Sequence, residues 1–190
     1  MSKPAAKGFY LREFSDRDWE SVHAYASQEI VSRHQGWGPN SKKETRIYVS
    51  KILKEAKTIP RMQYVFAIVL KEEEEMVGAV ELNIRDRTNR VGEIGYILHP
   101  DYWGQGIATN AAELILQFAF EEAALHRIFA TCDPRNTGSR KVLEKAGMLY
   151  EGKLRENIRL RDGWRDSLVY GILEQEWRGQ SHEKSAISKA

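Results

Sequence analysis

Residues 99–110 read HPDYWGQGIATN, and this stretch decides the fold. An apolar, β-branched segment, VGEIGYIL, precedes it at residues 91–98. After it, apolar residues recur at helical spacing to about residue 123. Ile107, Ala111, Leu114, Ile115 and Phe118 face one way, flanked by Ala108, Ala112 and Ala119. Glu113, Gln117 and Glu121 face out. A strand therefore feeds a glycine turn and then a helix. The first turn of a helix carries N–H groups without an intrahelical partner, and the dipole leaves partial positive charge there. Gly104 and Gly106 have no Cβ, so the turn can take positive φ and a ligand can approach the backbone closely. The loop holds no Lys or Arg, so amides alone would bind an anion such as a diphosphate. A Walker loop is excluded because Gly-Lys-Ser/Thr is missing. The missing third glycine argues against a dinucleotide fingerprint. A tight strand–helix connection without a ligand is the alternative.

Working outward, residues 8–14, GFYLREF, read as a strand. Ser15 or Asp16 opens a helix to about residue 30, with Trp19, Val22, Tyr25 and Ala26 on one face. SRHQGWGPNS is a loop by its Gly and Pro content. Ser41 and Glu44 form a capping box for a further helix that Pro60 closes. QYVFAIVL (63–70) and MVGAVELNI (76–84) are strands joined through KEEEE, a run that reads as a solvated hairpin turn rather than a cation site. RIFATC (127–132) is another strand. Asn136 then precedes a helix that ends at Ala146-Gly147. Two long strands follow, near 148–159 and 164–174, with a turn at Arg161-Asp162-Gly163. Residues 178–190 read as a disordered polar tail behind a domain spanning 8–177. The order predicts an α+β fold: one mixed, mostly antiparallel twisted sheet of about seven strands, with four helices and one strand–helix–strand crossover.

The chain has 190 residues, enough for one ordinary domain. A net charge of +2 without a basic stripe argues against a nucleic-acid partner. No run approaches the roughly 18 apolar residues of a membrane span. MSKPAAKGFY lacks the apolar centre of a secretory signal. The single cysteine, Cys132, allows no internal disulfide and points to a reducing, cytoplasmic setting. It sits in an apolar strand without a neighbouring His or Asp, which favours a buried structural thiol over a nucleophile. His99 and His126 have no partners at zinc spacing, so no metal is expected.

A second segment, DPRNTGSRKVLEKAGM (133–148), places Asn136 and Ser139 three apart at a helix start, on one face. If its strand neighbours the strand before the glycine loop, both helix starts open on one crevice. That crevice would hold a diphosphate at one helix and a polar, amide-bearing arm near the other.

These segments, EIGYILHPDYWGQGIATNAAE, NTGSRKVLEKAGM followed by YEGKLRE, and DGWRDSLVYGILEQEW, resemble in order and spacing the GNAT superfamily of acetyl-coenzyme A-dependent N-acetyltransferases. The resemblance is narrower to the branch of ribosomal-protein alanine and serine N-acetyltransferases, and it covers residues 8–177. It implies a splayed central strand pair whose free backbone groups near Ile97 and Leu98 bind the pantetheine arm. It implies that the amides of Trp103, Gly104, Gln105, Gly106, Ile107, Ala108 and Thr109 bind the pyrophosphate, and that Asn136 contacts pantetheine. An amine then attacks the thioester directly. Such a transfer needs a base for the amine, a donor for the developing oxyanion and an acid for the leaving thiolate. Ser139 is the candidate donor, with helix-start hydrogen bonding as its alternative role. Glu93 is the candidate base, directly or through a water, with a plain sheet-surface carboxylate as its alternative. Trp37, in QGWGPN, is the candidate apolar wall of the acceptor pocket, or else packs on the sheet.

Three positions depart from the pattern. Trp103 stands where the superfamily usually has Gln or Arg. Leu143 stands where many members carry a catalytic tyrosine. Ile158, two residues from Glu156, stands where some branch members carry a glutamate base. The expected activity is acetyl transfer from acetyl-CoA to a primary amine, on a protein N-terminus or a small molecule, by a monomer or homodimer. The alternative is an acyl-CoA-binding module without turnover, serving as a sensor or partner-binding subunit.

Overall fold

A computed structural model describes residues 8–160 and 162–187. Seven strands form one sheet: β1 (Phe9–Glu13), β2 (Gln63–Leu70), β3 (Met76–Asp86), β4 (Val91–Leu98), β5 (Arg127–Cys132), β6 (Leu149–Leu160) and β7 (Gly163–Leu173). Their spatial order is β1-β2-β3-β4-β5-β7-β6. Every neighbouring pair is antiparallel except β4 and β5. Those two are joined by the crossover helix α4 (Ile107–Glu121), as a parallel connection requires. The parallel ladder is short. It pairs Val91 with Arg127, Gly92 with Ile128 and Glu93 with Phe129, and then the strands part. The α+β sheet with a splayed central pair is the fold the sequence predicts.

Alternation along the strands sends apolar side chains to both faces, and each face is covered. On one side α4 lays Ile107, Ala111, Ile115 and Leu116 against Leu82, Ile94 and Ile128, all buried. On the other, Val22, Tyr25 and Ala26 of α1 (Trp19–Ala26) meet Val49 and Ile52 of α3 (Lys42–Glu55) over Val65, Ala67 and Ala79. The α3 start is the capping box read in the sequence: Glu44 N–H donates to Ser41 Oγ at 3.3 Å and Ser41 N–H to Glu44 Oε2 at 2.7 Å. The helix α5 (Thr137–Lys145) ends at Gly147, whose φ of +86° is the left-handed cap.

Two differences raise the helix count to six among the described residues. The helix expected from residue 15 to about 30 is broken. A 3-10 turn at Asp16–Asp18 leads into α1, and Gln28 is extended before the short α2 (Glu29–Ser32). Asp18 causes the first interruption, because its carboxylate accepts the Ser15 N–H and both Arg12 terminal nitrogens, each at 2.7 Å. The second difference is α6 (Glu174–Ile187), which occupies most of the stretch read as a disordered tail. Arg178 pairs with Glu174 at 3.0 Å, and Trp177 packs on Phe120 with centroids 5.4 Å apart. Composition alone hides both contacts. Residues 188–190 lie outside the described residues.

KEEEE turns the β2–β3 hairpin, with Glu74 at positive φ. Tyr10 and Tyr102 hydroxyls donate to Glu74 and Glu75. No helix among the described residues is long and apolar enough to cross a membrane.

Candidate active site

Where β4 and β5 part, a cavity of about 470 Å³ opens through the sheet. Its floor is Ile94 to Ile97 of β4 and Ala130 to Cys132 of β5, followed by Asp133. Tyr25 of α1 and Tyr48 of α3 line it from one face of the sheet, and Ser139 and Leu143 of α5 from the other. Glycine at the start of α4 and asparagine at the start of α5 sit at the same end of the sheet, because both helices follow parallel neighbouring strands.

The α4 start is bare. Gly104 has φ +75° and Gly106, the N-cap, φ +85°. Both lie in the left-handed region, and a Cβ built on either would meet nothing within 4 Å. The glycines therefore serve backbone conformation and leave the approach open. The first helical bond is Asn110 N–H to Gly106 O at 3.0 Å, so the N–H groups of Ile107, Ala108 and Thr109 come before it. No acidic residue occupies this turn to neutralise the dipole. Gln105 donates its side-chain amide to the Asp101 carbonyl, which braces the loop. The Trp103 side chain turns back toward β4. Its indole N–H donates to the Leu98 carbonyl at 2.8 Å. The Leu98 carbonyl thus already accepts one hydrogen bond, and Ile97 lines the cavity.

At the α5 start, Asn136 Oδ1 accepts the Ser139 N–H at 3.0 Å, and the rest of Asn136 faces the cavity. Ser139 Oγ lies 2.9 Å from the Tyr96 hydroxyl, which is also 3.0 Å from the Ser139 carbonyl. Burial raises the Tyr96 pKa and its bond to Ser139 lowers it; burial dominates, so the hydroxyl stays protonated. Tyr96 supplies a phenol to the site from β4, while Leu143, fully buried, supplies none from α5. Strand parity was the available signal for Tyr96: it shares a face with Ile94 and Leu98, on the α4/α5 side.

Asp133 is buried and densely bonded. It accepts Arg135 N–H at 2.8 Å and the Arg135 guanidinium at 2.9 Å, and it sits 3.2 Å from His34 Nδ1. Burial alone would raise its carboxyl, yet the bonds from Arg135 and His34 hold it at about 2. Arg165 of β7 donates to the His34 carbonyl at 2.7 Å and to Ser167 at 2.8 Å. These contacts clip the 33–40 loop to the end of β5. The clip leaves Trp37 lining the cavity while 40% exposed, at its mouth beside Gly36 and Ile158.

Glu93 does not join the residues that line the cavity. It is bound by Arg85 through Nε at 2.7 Å and a terminal nitrogen at 2.5 Å. Its place on the last paired rung of β4 and β5 holds it away from the splayed segment. Glu156 is also outside: it sits in the β6 irregularity, exposed, at positive φ. Besides Asp133, the carboxylate that lines the cavity is Glu81 of β3, for which the sequence holds no local signal. It is paired in register with Gly95. Burial raises its carboxyl above the ordinary range despite hydrogen bonds that lower it. Cys132 lines the cavity too, but burial pushes its thiol up to about 11, so it is not a thiolate near neutral pH.

A sheet parted around a cavity, with a bare helix start beside it, is the arrangement that the resemblance to acetyl-CoA-dependent N-acetyltransferases implies. Residues 9–149 match the acetyltransferase (GNAT) domain family, and the chain belongs to it. It is an N-acetyltransferase that uses acetyl-CoA. The uncharacterized N-acetyltransferase YnaD of Bacillus subtilis is 32% identical, over 90% of this chain and 96% of that protein. A GNAT-family acetyltransferase structure from Bacillus anthracis is 34% identical, with a TM-score of 0.78 over 92% of this chain and 99% of that one. RimJ of Mycobacterium smegmatis, in complex with CoA-disulfide, is 30% identical, with a TM-score of 0.79 over 90% and 84% of the two chains.

Proposed function

We propose that this chain transfers the acetyl group in one step, from acetyl-CoA to a primary amine on a protein N-terminus or a small molecule. The observation that carries the reading is the cavity through the parted β4–β5 pair, which one substrate can enter from each face of the sheet. The pyrophosphate rests on the amides of residues 103–109 and the pantetheine passes Ile97 and Asn136. Ser139 gives its proton to the departing sulfur and takes one from the acylated nitrogen, so no alkoxide accumulates. Tyr96, held protonated, fixes the Ser139 hydroxyl from behind. Trp37 forms part of the acceptor mouth. Both acceptor types have support among relatives in Escherichia coli. A ribosomal-protein-serine acetyltransferase is 28% identical over 58% of this chain, and a spermidine N(1)-acetyltransferase 27% over 54%. Cys132 is a free, buried thiol, which fits a reducing cytoplasm.

The test is release of free CoA from acetyl-CoA across a panel of small amines, polyamines and N-terminal peptides. Turnover with one class names the acceptor. Saturable CoA binding without release across the whole panel would instead support an acyl-CoA-binding module. ATP bound more tightly than CoA would overturn the donor assignment.

A further inference from the structure

A titratable carboxylate remains unassigned at the face of the cavity opposite Ser139. Glu81 belongs to β3, one strand away from the cleft, and a strand's width separates an ordinary β3 side chain from the reacting carbonyl. Gly95 removes that separation. It is the β4 residue directly opposite Glu81, and a Cβ built there would lie 3.0 Å from Glu81 Oε1 and 3.3 Å from its Cγ. The carboxylate therefore lies across the space a β4 side chain would fill. Gly95 comes two residues after the last β4–β5 rung, where the cleft begins. The Glu81 carboxylate takes a long hydrogen bond from Gln63 Nε2 on β2, at 3.4 Å, and one from the side chain of Asn83 on its own strand. Tyr25 and Tyr48 stand over the same space from α1 and α3, and the Tyr25 hydroxyl is buried with no partner among the described residues. A carboxylate has acceptor capacity beyond these two bonds, and beside a buried phenol in a cavity wall it is arranged for a ligand that carries N–H groups.

We propose that Glu81, laid across Gly95 into the cleft, is the base that takes the first proton from the acceptor ammonium. The assignment rests on the acetyl-transfer reading and completes its proton balance. The ammonium gives one proton to the Glu81 carboxylate, directly or through a water, and becomes a neutral amine. Its lone pair forms the bond to the thioester carbon, and the carbon–sulfur bond breaks. The second nitrogen proton reaches sulfur through Ser139, and Glu81 returns its proton to solvent. The product is the acetamide, free CoA and one released proton. The groups that set the Glu81 titration are Glu93 on β4, Arg85 on β3, Tyr25 on α1 and Tyr48 on α3, with neutral Gln63 on β2 and Asn83 on β3. Only Arg85 among them is cationic, and it is committed to Glu93.

The experiment is a pH profile of kcat and KM for wild type, E81Q, G95A and the double variant, with acetyl-CoA affinity measured alongside. In wild type, kcat/KM falls as pH drops through the Glu81 titration, because the protonated acid cannot accept a proton. E81Q should lose about a hundredfold or more in kcat, abolish that acid limb and leave acetyl-CoA affinity within about twofold. G95A should displace the carboxylate and cost about tenfold in kcat, and the double variant should be no worse than E81Q. Wild-type kcat and an intact acid limb in E81Q would overturn the assignment alone. A raised KM with unchanged kcat would overturn it too, by making Glu81 an ammonium anchor. If E81Q does not bind acetyl-CoA, G95A decides, and unaltered kinetics there overturn the proposal. Wild type without turnover on any amine would overturn the transfer reading itself, and the assignment with it.

Discussion

The helices α4 and α5 both open toward the cleft, and their starts are built in opposite ways. The first turn of α4 has no side-chain cap and no acidic residue, and its two left-handed glycines leave open space above the amides. The first turn of α5 satisfies itself. Asn136 accepts from Ser139, and the preceding Asp133 is tied to Arg135 and His34. An unsatisfied helix start costs stability unless something binds it, which supports the proposed pyrophosphate site at the α4 turn. A self-satisfied start holds its geometry whether or not a ligand is present. It accordingly holds Ser139 Oγ 2.9 Å from the Tyr96 hydroxyl of β4.

The largest effect that would break this contrast is at the rigid start. Ser139→Ala should lower kcat by about ten- to a thousandfold, measured under saturating acetyl-CoA. Unchanged kcat would make Ser139 a helix-start residue only. At the bare start, Gly106→Val should raise the acetyl-CoA dissociation constant by about ten- to a hundredfold. It places a β-branched residue at φ +85°, tilting the amides away from the anion. Titration calorimetry reads the affinity, and circular dichroism should show an intact fold. Tyr96→Phe removes the hydroxyl behind Ser139, and kcat should fall by about tenfold without a change in acetyl-CoA affinity. The smallest effect is on acid stability. The Asp133 carboxyl is held at about 2 against an ordinary 3.8. Its contribution is present above the ordinary value and is lost as pH falls through about 2. Asp133→Asn should therefore be less stable than wild type near neutrality, with the gap narrowing through that acid window in denaturant titrations.

The bare start was legible in the sequence because it depends on local facts: two glycines, no cation, and a strand and a helix on either side. The capping box of α3 and the left-handed Gly147 were legible for the same reason. The base was not. Glu93 and Glu81 both alternate correctly on their strands, and only the place where β4 leaves β5 separates an ion-paired surface carboxylate from one in the cleft. That place is set by long-range strand pairing, which no spacing within either strand encodes. Tyr96 was overlooked because a tyrosine in an apolar strand reads as core until α5 brings Ser139 to it. The α6 helix was overlooked because its support, Trp177 on Phe120, joins residues far apart in the chain.

Tyr25 and Tyr48 line the cavity from one side of the sheet, and Ser139 and Leu143 from the other. A passage that runs through a sheet has two doors. Neither substrate then has to leave before the other arrives, and the acetyl group never needs to be parked on the protein between visits. Initial-rate plots against each substrate should intersect rather than run parallel.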